Sequence, residues 1–274
     1  MDFDFTTLEV DDSPPVAHIW LNRPDRHNAF NATVIEELTH AFIALGINPD
    51  VRTIILGGTG RSFSAGADLD WMAQSAELDK EANMEETLKM ARMYSSIFRC
   101  PKPVIARVHG AALGGGMGLV AACDIAVASE RALFGFTEVR LGIAPSVISP
   151  FVIYKIGAAA AHRYFLTGER FDAEEAMRIG LVASVQPPEA LDTAISKIAN
   201  ELCQGAPDAQ AQIKWLIARV ADFKPEDFES YTAELIAAMR ASDEGQEGLR
   251  SFLARSKPPW VEARPAADTV DTEV

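Results

Sequence analysis

Between residues 16 and 185 the chain alternates short apolar runs with stretches of helical periodicity, and that alternation constrains the fold more than any other feature. Strand, helix and strand in succession is the pattern of a parallel sheet covered by helices, so this part reads as α/β. The expected strands are 16–22 (VAHIWLN), 51–58 (VRTIILGG), 103–110 (PVIARVHG), 124–129 (DIAVAS), 133–136 (LFGF) and 180–185 (GLVASV), with helical patterns over about 31–45 and 84–98. After about Pro187 only helices are expected, over 189–202, 208–220, 225–239 and 243–255, with Pro207 and Pro225 placed where helix starts tolerate them. The chain is therefore expected to divide into an α/β core (1–187), a helical region (188–262) and a polar, proline-containing tail (263–274) that frays. A helical region without strands needs an apolar surface to cover it, either its own core or a neighbouring subunit.

At 274 residues the chain can bury a substantial core. No stretch of about 18 consecutive apolar residues occurs, so no membrane span is expected. The acidic start MDFDFTTLEVDDSPP lacks the features of a secretory signal, which points to a cytoplasmic protein. A formal charge of −14 disfavours nucleic acid as a partner. Cys100, Cys123 and Cys203 have no CxxC spacing and read as free thiols, and His18, His27, His40, His109 and His162 form no ligand pattern, so no metal is expected.

Two glycine-bearing stretches follow strands: 57–72 (GGTGRSFSAGADLDWM) and 111–129 (AALGGGMGLVAACDIAVAS). In open α/β sheets, ligands gather outside the carboxyl ends of strands. A helix beginning at Gly114 to Gly116 would present first-turn amides with no intrahelical partner, and the missing Cβ atoms would let a ligand oxygen approach them. The alternative is that these glycines only permit close packing of helix and strand. Neither loop is a nucleotide fingerprint: GGTGRS lacks the lysine of GxxxxGK[ST], and GGGMG lacks GxGxxG spacing. FSAGAD is not GxSxG, so Ser64 reads as a loop hydroxyl. In 132–146 (ALFGFTEVRLGIAPS), Glu138 stands among apolar residues, where desolvation would raise its pKa into the range of general acid and base work. The alternative there is an ion pair with Arg140 or Arg170.

Taken together, FSAGADL, HGAALGGGMGLVAACDIAVAS and FGFTEVRLGIAPS, with LNRPDRHNAF before them and LTGERFDAEEAMRIGLV after, resemble the enoyl-CoA hydratase/isomerase, or crotonase, family. The resemblance implies a spiral of ββα units with a C-terminal helical trimerisation region, assembled as a homotrimer or a dimer of trimers. It also implies an acyl-CoA thioester as substrate, with no separate cofactor because CoA is part of that substrate. By motif position, the amides of Ala67 and Gly115 would form an oxyanion hole for an enolate, with Glu138 as acid/base. CoA contacts would fall at Arg26, Ala29, Ala65, Asp68, Leu69, Phe252 and Lys257. The acyl pocket would be lined by Trp71, Met72, Gly118, Pro145 and Ser146; Trp71 and Met72 have packing as their alternative, and Asp68 has loop shaping.

The sequence departs from the hydratase pattern at one position, since typical members carry a second glutamate where Gly118 stands here. Three outcomes stay open: hydration by Glu138 alone, double-bond isomerisation by a single glutamate, or thioester hydrolysis or decarboxylation. A CoA-binding relative without activity is the non-enzymatic alternative. The segment PSVISPFV resembles hydratases of branched or glutaconyl-type acyl-CoAs, which tilts the expectation to hydration of a 3-methylglutaconyl-CoA-like substrate. His162 and Arg163 either attract a distal carboxylate or belong to a helix surface.

Overall fold

The computed structural model describes residues 3–221 and 228–262 of the chain. Its first strand, β1 (Leu8–Asp11), pairs antiparallel with β2 (Val16–Leu21). Asn31 then caps α1 (Ala32–Ile47) by accepting from the Val34 amide, and Val34, Ile35, Leu38, Phe42 and Leu45 recur at helical spacing to bury one face. The next strand, β3 (Thr53–Gly58), is buried along its whole length. A continuous apolar run of this kind fits a strand covered on both faces. Two helices, α2 (Leu69–Ala76) and α3 (Lys80–Phe98), lead to β4 (Val104–Val108).

A short strand β5 (Ala111–Leu113) precedes α4 (Gly115–Ala122), after which β6 (Ile125–Ser129) returns to the main sheet and β7 (Leu133–Gly135) pairs with β5. The tight 3-10 turn Glu138–Leu141 follows, then α5 (Ser149–Thr167), β8 (Arg170–Asp172), α6 (Ala173–Arg178) and β9 (Ser184–Gln186). Among the described residues the main sheet has the order β1-β2-β3-β4-β6-β9, parallel from β2 onward, and a second sheet has the order β5-β7-β8. The loops after β3 and β4 thus leave neighbouring parallel strands at the same end.

The structure departs from the sequence reading at several elements. The strand expected over 180–185 is shifted to β9, because the amides of Leu181 and Val182 bond back to the Ala176 carbonyl at the end of α6. The strands β1, β5 and β8 were not expected. The chain divides into two compact units between Ala199 and Asn200, not at Pro187, because α7 (Leu191–Leu202) buries Leu191 and Ile195 and ties Asp192 to Arg107 of β4.

The second unit comprises α8 (Pro207–Ala221), α9 (Phe228–Ala241), α10 (Asp243–Leu253) and α11 (Pro259–Glu262). The Glu244 carboxylate accepts from the Asp208 and Ala209 amides at 3.0 and 2.9 Å, and so satisfies the first turn of α8. The tail 263–274 and Pro225 lie outside the described residues. All three cysteines are buried, and the Cys123 thiol donates to Leu119 O at 3.2 Å. Among the described residues no helix is long and apolar enough to cross a membrane.

One side chain fastens the entry to the site. Asn28 is 2% exposed and sits at φ 54°, a left-handed position that asparagine tolerates. Its Oδ1 accepts from the Arg23 amide at 2.9 Å, and its Nδ2 donates to the Thr59 and Ser62 carbonyls, both at 2.8 Å. Asn28→Ala would leave those buried groups unpaired, so it is expected to lower stability by roughly 2–4 kcal/mol in urea unfolding. A change below about 0.5 kcal/mol, the range of ordinary surface substitutions, would show that Asn28 does not hold this loop.

Candidate active site

The loop after β3 is stitched on both sides. Ser64 forms a parallel bridge with Ala112, its amide donating to Ala111 O and its carbonyl accepting from Leu113 N, each at 3.0 Å. Three residues on, Phe30 bridges Ala67: the Phe30 amide donates to Gly66 O at 2.8 Å, and its carbonyl accepts from Asp68 N at 3.0 Å. In a parallel bridge of this form the central residue uses both of its own groups, so the Ala67 amide is turned away from Phe30.

The second loop meets the first at Gly66. This residue has φ 91°, and a Cβ placed on it would stand 2.8 Å from Leu113 O and 3.1 Å from Gly115 N. Only glycine fits both the backbone angle and the space. Gly114, at φ 50° and ψ −123°, turns the chain into α4 while its amide donates to Gly135 O at 2.9 Å. Gly115 then begins the helix, so its amide has no intrahelical acceptor. Neither the Ala67 nor the Gly115 amide meets an acceptor among the described residues. Both residues line one cavity of about 540 Å3.

Glu138, at the start of the 3-10 turn, lines the same cavity. Its Oε1 lies 3.6 Å from where a Cβ on Gly114 would stand, and its Oε2 is buried with no hydrogen-bond partner. Among the described residues no ion pair joins it to Arg140 or Arg170, which sets that alternative aside. Burial pushes its carboxyl above the usual carboxylate range. The cavity also takes in Phe30, Met72, Met90, Leu141, Ile143 and Ile148, and among the described residues Glu138 is the one carboxyl in a mostly apolar lining.

Several expected residues take other places. Ala65, Leu69, Met72, Pro145 and Ser146 line the cavity; Gly118 and Trp71 do not. Gly118 is buried, and a Cβ there would collide with Ile148 Cγ2 and come within 2.7 Å of the Tyr94 ring. The space left by its absent side chain is already filled, which corrects its assignment to the pocket. Trp71 packs against the core, the alternative it was given.

Asp68 is 5% exposed; its carboxylate accepts from the Asp70 amide at 2.9 Å and pairs with Arg23 at 2.8 Å. It therefore shapes the loop, and those bonds hold its carboxyl below the ordinary value although burial acts the other way. Arg26 is exposed and pairs with Asp70 at 3.1 Å, while Ala29 is buried. Arg163 is engaged by Glu169 at 2.7 Å and is not part of the cavity lining. Phe252 and Lys257 are exposed in the second unit.

The residue that sequence reasoning missed is Arg23. It donates to the Ala29 carbonyl while pairing with Asp68, and so joins the two segments that flank Ala67. No local pattern signals this, because its partners lie across a gap in sequence.

An α/β fold thus brings two residues with acceptorless amides and a buried carboxyl to the lining of one mostly apolar cavity, an arrangement compatible with holding charge on a carbonyl oxygen. Comparison with known proteins agrees. The Enoyl-CoA hydratase/isomerase family model matches residues 11–263. A crystal structure of an enoyl-CoA hydratase from Shewanella pealeana superposes with a TM-score of 0.91 at 38% identity, covering 94% of this chain and 97% of that one. The peroxisomal Delta(3,5)-Delta(2,4)-dienoyl-CoA isomerase of Arabidopsis thaliana is 33% identical over 93% of this chain and 96% of its own length. The short-chain-enoyl-CoA hydratase of Clostridium acetobutylicum is 32% identical over 88% and 92%. This chain belongs to the enoyl-CoA hydratase/isomerase family and has its crotonase fold.

The contact between the loops gives a direct expectation. Gly66→Ala would force Leu113 and Gly115 away from Ala67, and turnover of an enoyl-CoA should fall about a hundredfold, the usual effect of losing one oxyanion donor. Circular dichroism would establish that the variant is folded. A folded variant with unchanged turnover would show that the approach of the two loops is irrelevant to the chemistry.

Proposed function

We propose that the enzyme hydrates an enoyl-CoA thioester, with the Ala67 and Gly115 amides holding the thioester oxygen and Glu138 moving both protons. The observation that carries this reading is the shared cavity: two amides without acceptors and one buried carboxylate oxygen without a donor. Ionised Glu138 takes a proton from water as the water oxygen bonds to the β-carbon. The double-bond electrons shift toward the thioester, and negative charge accumulates on its oxygen between the two amides. The protonated Glu138 then delivers its proton to the α-carbon, the enolate collapses, and one water has been added.

The amides favour the transition state because it carries more charge on that oxygen than the bound substrate does, and the positive end of α4 adds to the effect. CoA is bound as part of the substrate, with contacts proposed at Ala65 and Leu69 and, from the loop before α1, at Arg26 and Ala29. Phe252 of α10 and Lys257, between α10 and α11, are proposed as contacts from the C-terminal helical region. Those helices are proposed to assemble the chain as a homotrimer or a dimer of trimers, working in the cytosol.

The acyl group is proposed to be branched and of the 3-methylglutaconyl type. Support comes from the segment PSVISPFV and from Leu141, Ile143 and Ile148, which give the cavity an apolar wall suited to a methyl branch. Leu141 and Ile143 are themselves exposed, so a distal carboxylate can reach solvent at this side of the cavity. Double-bond isomerisation is the second reading, favoured by one observation: the side chains of Tyr94 and Ile148 leave no room for a second carboxylate at Gly118. A single glutamate suffices to carry a proton between the α and γ carbons.

Glu138→Gln is expected to retain acyl-CoA affinity in calorimetry and to lose about a hundred- to ten-thousand-fold in turnover. In the wild type, hydration requires ionised Glu138, and burial raises its pKa, so kcat/KM should rise with pH along a limb displaced above the ordinary carboxylate value. Mass analysis of products from 2-enoyl-, 3-enoyl- and 3-methylglutaconyl-CoA separates the readings. Gain of one water supports hydration, and a moved double bond at constant mass supports isomerisation. Wild-type turnover by Glu138→Gln would remove Glu138 from the mechanism altogether.

A further inference from the structure

We propose that Tyr94 is a positioning residue for the Gly115 amide: its phenol tethers a glycine run that has no side chains with which to hold itself. The inference deepens the reading above and rests on it, because it assigns the means by which one of the two oxyanion donors is kept in place.

Three consecutive glycines, Gly114 to Gly116, form the turn into α4, and such a run has the largest backbone freedom the chain can offer. An amide that must meet a developing charge cannot wander, since preorganisation is what makes such donors effective. The run is instead restrained from outside. On one side, the Gly114 amide donates to Gly135 O at 2.9 Å. On the other, the Tyr94 hydroxyl donates to Gly115 O at 2.8 Å. Gly115 is thus fastened at both ends, with its own amide left free.

Tyr94 is built to stay still. It is fully buried, edge-on to Phe30 with ring centroids 6.5 Å apart and tilted against Phe151 at 5.9 Å. Its ring also lies beside Gly118, where an added Cβ would stand 2.7 Å from Cε1. Gly118 therefore has a positive purpose in this chain: it makes room for the ring that carries the tether. Burial and the neighbouring Glu138 charge push the phenol well above its usual pKa, so the hydroxyl remains a neutral donor. Tyr94 is also among the residues that line the cavity with Gly115 and Glu138.

Tyr94→Phe keeps the ring and removes only the tether. It is expected to lower kcat about tenfold, the equivalent of one ordinary hydrogen bond, while KM changes less than about twofold. The decisive readout is spectroscopic. Acetoacetyl-CoA bound at an oxyanion hole is drawn toward its enolate, which absorbs in the near ultraviolet, whereas saturated butanoyl-CoA has no enolate to form.

The expected result is a strong enolate band with wild type, a weaker one with Tyr94→Phe, and equal butanoyl-CoA affinity for both. An unchanged band and kcat in Tyr94→Phe, even with a lowered Tm, would overturn the proposal and leave the hydroxyl a structural group. Absence of the band in wild type would overturn the functional reading, and this inference with it. Should Tyr94→Phe fail to fold, Tyr94→Met fills the space without a donor and is held to the same two outcomes.

Discussion

The site depends on the contact of two backbone segments at Gly66, where the loop after β3 lies against Leu113 and Gly115. Everything else in the cavity is arranged around that contact. The bridges of Ser64 to Ala112 and of Phe30 to Ala67 tie the loop to β5 on one side and to the segment before α1 on the other. Because Phe30 uses both of its backbone groups in its bridge, the Ala67 amide has no competing acceptor there. The Arg23–Asp68 pair and the Asn28 side chain clamp the same loop from behind. An amide oriented this way incurs no reorganisation cost when charge develops on a substrate oxygen.

The second constraint is electrostatic. Glu138 keeps a buried oxygen without a partner, an arrangement that disfavours its ionised form. A carboxyl used only for stability would be paired, as Asp68 is with Arg23 and Asp192 with Arg107. Burial raises the proton affinity of Glu138, which suits the acid/base role proposed for it. In the proposed mechanism the apolar walls add to this, because a low dielectric would strengthen the pull of the amides on a developing oxyanion.

Sequence legibility followed the physics of each element. The strand β3 was readable because it is buried throughout and its side chains form one apolar run. The strands β5 and β8 have three residues each, too few to express a period, and exist because neighbouring segments pair with them. Glu138 stood out because buried Phe134 and Phe136 precede it. The glycine run could be read as a helix start because unpaired first-turn amides are a local property.

Gly118 was misplaced for the opposite reason. Its surroundings are set by Tyr94 and Ile148, which arrive from α3 and from the residue before α5, and no local pattern encodes that meeting. Arg23 was missed on the same grounds, its partners being Ala29 and Asp68. Family resemblance carried the motifs and their spacing, while packing across elements decided which side chains reach the cavity.

The central claim is that the Ala67 and Gly115 amides together polarise a thioester carbonyl. Difference infrared spectroscopy of an enoyl-CoA carrying 13C at that carbonyl tests it most directly. The predicted result is a stretch displaced to lower frequency in the bound complex, with much of the displacement lost when Gly66 carries a side chain. A bound carbonyl that absorbs at its solution frequency would contradict the claim.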